Sequence, residues 1–405
     1  MQASVPSSGD KPLHIVFVAG EMSGDILASG LIRALKQRYP DARFSGIGGP
    51  RMQAEGFDSL WSMDRLSVMG LVEVLGRLRE LLGIRKEVRD YCLTEQPDLF
   101  IGVDAPDFNL TLEGWIKESG IPVVHYVSPS VWAWKQGRLK KIARSIDHML
   151  TLLPFEPDYY HHWNIPVTFV GHPLADEIPL SSDSMQARQQ LGLPADLPVM
   201  ALLPGSRSSE VKYLAEPFLK TALLCCQQME NLQVAIPCAN DKRRQQIESE
   251  LKKLPDTVQP RIHLFDGQSR EVMCASGGVL LASGTAALEA MLLKKPVVVA
   301  YKMAPLSYAI ISRMVKTDYV SLPNLIAGEA LIPELIQDQA TPEAMSELML
   351  DRLTRPEKYQ PLVDRFFSMH QSLRRDASEK AAMAVASLLY EKGRLSEPPL
   401  AHTAE

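Results

Sequence analysis

The chain has no apolar stretch approaching the ~20 residues that a membrane-spanning helix needs, so any contact with a bilayer is expected to be peripheral. It also lacks an excess of positive charge. Its 43 Lys and Arg stand against 48 Asp and Glu, a net charge of −5, and nucleic acid is not an expected partner. The five cysteines, Cys92, Cys225, Cys226, Cys238 and Cys274, form no C-x-x-C pair and have no histidines spaced about them as zinc ligands. Reduced thiols and a cytoplasmic setting are the simplest reading. The first eleven residues are polar, and the first apolar run, 15–19, is too short for a secretion signal. Nucleotide-binding fingerprints are missing as well. Residues 46–50 begin a G-x-G-x-x-G, but Arg51 stands where the third glycine belongs, and no G-x-x-x-x-G-K-[ST] occurs.

What is present is ordinary for a soluble protein: 405 residues, 46% hydrophobic and 22% charged, enough for two domains. Short apolar runs at 14–19, 43–47, 98–103, 123–127, 148–152 and 168–170 alternate with helical patterns, which predicts a doubly wound parallel sheet. From about 176 to 197 the chain turns polar and holds several prolines, the expected crossing between domains. A second series follows at 199–203, 233–237, 262–265, 278–282 and 297–301. Helices at 343–353, 359–373 and 376–391 have no strands between them and are expected to pack back across either domain or a partner. The expected divisions are therefore 1–185, 186–345, and 346–405 for the last helices and a tail.

The stretch 279–291, VLLASGTAALEAM, joins a buried strand to a helix through Ser283, Gly284 and Thr285. At such a turn the first amides of the helix are unpaired and the helix dipole favours an anion, so a phosphate fits. Glu289 follows Thr285 by four residues, which puts its carboxylate on the same face one turn deeper, where ribose hydroxyls would lie; a solvated glutamate fits the spacing equally well. Pro204-Gly205-Ser206-Arg207 at another strand end offers a second phosphate position. Arg207 either forks onto a diphosphate or simply opens a charged helix with Glu210 and Lys212. Two facing domains of this kind suit a two-substrate transfer. Sugar transferases that hold a diphosphate through a cation use Asp-x-Asp, which this chain lacks, so neither a metal nor a cofactor is expected.

Residues 66–84 form the most apolar helical pattern, with Val68, Leu71, Val72, Leu75, Leu78 and Leu82 in one stripe and Arg77, Arg79, Arg85 and Lys86 around it. A helix lying on anionic lipid and a wide-faced core helix both fit.

The motifs GEMSGD at 20–25, GPRM at 49–52, GLVEVLGRL at 70–78, DAPDFN at 104–109, HYVSPSVWAW at 125–134, LLPGSR at 202–207, ASGTAALE at 282–289 and KTDYVSLPNL at 316–325 resemble, in order, those of the lipid-A-disaccharide synthase family. Met22 stands where that family commonly has threonine. The resemblance spans about residues 13 to 391. It implies a GT-B fold, α/β with two doubly wound Rossmann-like domains, and an inverting, metal-independent transfer. The 2,3-diacylglucosamine of a UDP donor would pass to the 6-hydroxyl of 2,3-diacylglucosamine 1-phosphate, giving a β-1,6 disaccharide and UDP in lipopolysaccharide synthesis.

Under that resemblance Asp104 is the expected base, with Glu21 and His125 as rivals at neighbouring strand ends. Ser206, Arg207, Ser283, Gly284, Thr285, Glu289 and Asn324 match the donor motifs. Acylated substrates tilt the helix at 66–84 toward membrane or acyl contact through Val68, Val72 and Leu75, and Trp132 is a candidate for the same region. The expected location is the cytoplasmic face of the inner membrane, with a homodimer as a candidate assembly. A UDP-N-acetylglucosamine 2-epimerase and a nucleotide-sensing module without catalysis are the rival readings.

Overall fold

A computed structural model of the chain describes residues 11–66, 71–133, 137–282, 284–314 and 317–399, without the side chains at 71–75, 306 and 310. Two compact units emerge. The first contains the chain up to Pro173 and again from Leu373; the second is Leu174–Ser372.

In the first unit seven strands form one parallel sheet: β1 (His14–Ala19), β2 (Arg43–Gly48), β3 (Asp58–Ser62), β4 (Leu99–Val103), β5 (Val123–Tyr126), β6 (His148–Thr151) and β7 (Val167–Phe169), in the order β3-β2-β1-β4-β5-β6-β7. The sequence predicts six of them and misses β3. That strand lies at the sheet edge and none of its five residues is fully buried, so no apolar run announces it. The central strands are apolar on both faces because helices cover both. Helix α1 (Met22–Arg38) follows β1, α2 (Leu71–Glu95) precedes β4, and α3 (Pro106–Glu118) follows it. Ile84, Val88 and Cys92 of α2 and Leu112 and Ile116 of α3 close over Val16, Val18, Phe100 and Val123 in one apolar cluster. Each such side chain, fully buried, contributes roughly 1.5–3 kcal/mol.

The second unit repeats the plan with β8 (Val199–Leu203), β9 (Gln233–Cys238), β10 (Ile262–Asp266), β11 (Gly278–Leu281), β12 (Val297–Tyr301) and β13 (Glu334–Ile336), ordered β10-β9-β8-β11-β12-β13. The sixth strand, three residues at an edge, is again the one the sequence does not announce. Helix α4 (Ser208–Gln228) follows β8 and α5 (Thr285–Leu292) follows β11. The last helix, α6 (Ala377–Glu391), returns to the first unit and lies against α1. Gly30 permits that approach, since a Cβ there would stand 2.4 Å from Ser378 Oγ, and Arg38 meets Glu379 at 3.0 Å.

Candidate active site

In each sheet the strand order reverses once, between β1 and β4 and between β8 and β11. Ligands of open parallel sheets bind at the carboxyl ends of the strands at such a switch point.

In the second unit the loops after β8 and β11 border a cleft of about 290 Å³ lined by Gly205, Ser206, Arg207, Gly284, Thr285 and Glu289, among others. Gly284 caps α5 with φ +122°, a conformation closed to most residues with a side chain, and Thr285 opens the helix. Ser283 lies outside the described residues. One turn into α5, Glu289 faces the same cleft with Arg270 Nε 3.6 Å away. Burial raises the Glu289 carboxyl above its ordinary range, against the pull of the Arg270 charge. Arg270 is a residue the sequence reading missed; it opens no motif and reaches the site only because its helix packs beside α5.

The loop after β8 is occupied by its own chain. Glu210, almost wholly buried, accepts the N–H groups of Ser206 and Arg207 at 3.1 Å each on one carboxylate oxygen, and its other oxygen lies 3.3 Å from Arg207 Nη1. The Arg207 side chain is 64% exposed.

Asn324 is turned inward. Its amide donates to Ile332 O and Glu334 Oε1 and accepts from Ile332 N, all at 2.9 Å, while Glu334 also takes the amides of Val320 and Ser321. Residues 320–324 thus form a clamp between their loop and β13, in which both N–H groups of the Asn324 amide are already engaged.

In the first unit the turns after β1 and β4 touch: a Cβ on Gly20 would lie 3.3 Å from that of Ala105. Asp104 and Ala105 both have left-handed backbone, φ 51° and 44°. This strain, on the order of 1–3 kcal/mol per residue, is held by the Asp104 N–H bond to Tyr126 O at 2.8 Å and by Asn109 Nδ2 on Asp104 O at 2.8 Å. Among the described residues the half-buried Asp104 carboxylate meets no side-chain donor. Glu21, two residues past β1, is exposed and makes no cap bond. His125 is enclosed, with Nδ1 2.6 Å from Glu113 Oε1. Glu113 is a second residue the sequence did not single out. Asp25, the last residue of GEMSGD, accepts the amides of Gly49, Arg51 and Met52 at 2.9–3.0 Å, so two of the motifs are one structure.

On α2 the described members of the expected stripe, Leu78 and Leu82, are 44% and 47% exposed, and the core face is Ile84, Val88 and Cys92. Val68 lies outside the described residues, as do the side chains of Val72 and Leu75. Trp132 is half-buried with its ring edge-on to Phe155 at 5.6 Å, a packing contact within its own unit. Among the described residues no helix is long and apolar enough to cross a membrane.

Two parallel switch-point sheets define the GT-B class. Solved structures of low sequence identity share it. One is the glycotransferase of kitacinnamycin, with a TM-score of 0.63 at 15% identity, covering 93% of this chain and 98% of that one. Another is the UDP-GlcNAc 2-epimerase from Neisseria meningitidis bound to UDP-GlcNAc, with a TM-score of 0.58 at 13% identity, covering 94% and 99%. Fold alone therefore leaves transferase and epimerase level. Sequence separates them. Residues 15–388 match the family described as lipid-A-disaccharide synthetase, and the lipid-A-disaccharide synthase of Chromohalobacter salexigens is 53% identical over 389 residues, 96% of this chain and all of that one. The chain belongs to that family, and is a glycosyltransferase of lipid A biosynthesis.

Proposed function

We propose that this glycosyltransferase transfers 2,3-diacylglucosamine from UDP to the 6-hydroxyl of 2,3-diacylglucosamine 1-phosphate with inversion, releasing the β-1,6-linked disaccharide 1-phosphate and UDP. The observation that carries the donor half is the cleft of the second unit, where Arg207, the start of α5 and Glu289 line one space. The amides at the start of α5 receive phosphate, Arg207 supports the charge on the departing diphosphate, and Glu289 accepts from ribose hydroxyls.

Asp104 is the base. It takes the proton of the acceptor 6-hydroxyl as that oxygen bonds to the anomeric carbon and the bond to the UDP oxygen breaks, the electron pair leaving with UDP. Its turn is fixed by bonds to Tyr126 and Asn109, whereas Glu21 is an exposed side chain and His125 is enclosed. Such preorganisation is what separates a working base from a nearby carboxylate.

The reaction occurs at a membrane surface. Moving one acyl chain of about a dozen methylenes into water costs roughly 10 kcal/mol, and the exposed Leu78 and Leu82 on a helix carrying Arg77 and Arg79 supply a surface that meets lipid.

The test is a mass-spectrometric assay with UDP-2,3-diacylglucosamine, with and without 2,3-diacylglucosamine 1-phosphate. Disaccharide 1-phosphate and UDP formed only with both substrates is the expected result. Turnover of the donor alone to an isomeric UDP-sugar would replace this reading with an epimerase.

A further inference from the structure

Glu210 presents a physical problem for a diphosphate site. Loop amides beside a glycine at a strand end are ordinary phosphate donors, yet the two here, of Ser206 and Arg207, already bond to a carboxylate. That carboxylate is packed close against the loop it caps. Gly205 has φ +116°, and a Cβ on it would stand 2.5 Å from Glu210 Cβ and 2.6 Å from its Oε2, so the loop and the glutamate are folded onto each other. Glu210 is also the third residue of α4 and closes the helix start by accepting the N–H of Arg207, the residue that precedes the helix. Its charge nevertheless lies on the wall of the cleft, with Arg207 beside it.

We propose that Glu210 is a positioning residue of the donor site: it stays on the Ser206 and Arg207 amides with donor bound, so that this loop offers the diphosphate the Arg207 guanidinium rather than its backbone. The phosphates then rely for amides on the start of α5. The division of labour has a cost, because a fixed negative charge opposes the anion and competes for Arg207. That opposition weakens the hold on UDP and favours its release after transfer. The inference rests on the donor site described above.

Three variants separate the two. Arg207→Ala and Glu289→Ala test the site itself: if neither weakens UDP binding measured by calorimetry, the site has been assigned wrongly, whatever Glu210 does. Glu210→Gln tests the inference, since the amide oxygen can still accept both N–H groups while the charge is gone. UDP should bind roughly 3–5-fold more tightly, the size of one partly screened charge contact, and turnover should fall by up to the same factor as release slows. A residue that only caps α4 would leave both unchanged or weaken both, and either outcome overturns the proposal. Should Glu210→Gln not fold, a crystal structure of the unaltered protein with UDP decides. Glu210 should remain within hydrogen-bonding distance of the two amides; phosphate oxygens in its place would overturn the inference.

Discussion

His125 Nδ1 lies 2.6 Å from Glu113 Oε1, and neither side chain is open to solvent. The sheet makes room for the pair with a glycine: Gly102 is the register partner of His125 on β4, and a Cβ there would stand 2.0 Å from the Glu113 carboxylate. Burial pulls the imidazole pKa down, but the charge and hydrogen bond of Glu113, followed by the charge of Asp104, outweigh it and leave His125 above its ordinary value. Removing one partner of such a pair costs about 3–5 kcal/mol, so Glu113→Ala should destabilise the protein by that amount. Because the folded pKa of His125 is raised, the pair's contribution is complete below the unfolded value near ~6.5 and fades as pH rises through the folded one. Urea unfolding at pH 6 and pH 9 should show the mutant's deficit shrinking with alkalinity; a deficit independent of pH would mean the ring is neutral throughout.

Asp104→Asn keeps the left-handed turn, which asparagine tolerates, and removes the basicity. Turnover should fall by ~10²–10⁴ while UDP affinity is unchanged. Near-normal turnover would hand the base role to Glu21.

If Arg207 and the start of α5 together neutralise the leaving diphosphate, chelation should leave turnover within about twofold, and Arg207→Ala should lower it by ~100-fold. EDTA inhibition reversed by magnesium would refute this assignment.

Leu78 and Leu82 are exposed in the folded chain, so replacing both by serine should cost little stability, within about 0.5 kcal/mol each. The double variant should nonetheless sediment less with anionic vesicles than the parent protein does. Equal sedimentation would remove this helix from the membrane contact.

Glu156 is buried, and burial pushes its carboxyl up to about 7, against the opposing bonds from the amides of Leu153 and Leu152. A raised carboxyl pKa stabilises the fold below the unfolded value near ~4.3 and loses that advantage as pH rises through the folded one. Glu156→Gln, which can still accept both amides, should therefore raise the melting temperature at pH 8 and change it little at pH 5. The cost relieved is on the order of 3 kcal/mol, at ~1.4 per pKa unit. Equal effects at the two pH values would mean that the Glu156 carboxyl is not raised in the folded protein.

The alternation of strand and helix was legible because central strands covered on both faces, such as β1, β4 and β12, must be continuous apolar runs. Edge strands need no such run, which is why β3 and β13 were silent. Strand β5 ends one residue early because Val127 adopts φ 81°, which a β-branched residue does only when its surroundings force it. Within the site, motifs located Arg207, Thr285 and Glu289, whose strand-turn-helix setting is local. Glu210 had a readable signal, an acidic residue three positions after the residue that caps its helix. Glu113 had none, since a buried charge is known only by its partner, and that partner lies on a strand.

The return of α6 to α1 sets an order for folding on the ribosome. The first unit begins at the N-terminus, yet it needs residues after Leu373 to cover α1, and Arg38 finds Glu379 only across 341 positions of sequence. All of Leu174–Ser372 must be made in between. At ~5–20 residues per second that delay is roughly 10–40 s, during which the apolar side of α1 has no final cover. The second unit, one continuous segment, is complete first. A nascent chain stalled before residue 373 should accordingly carry a protease-resistant second unit beside a first unit still open to cleavage at α1.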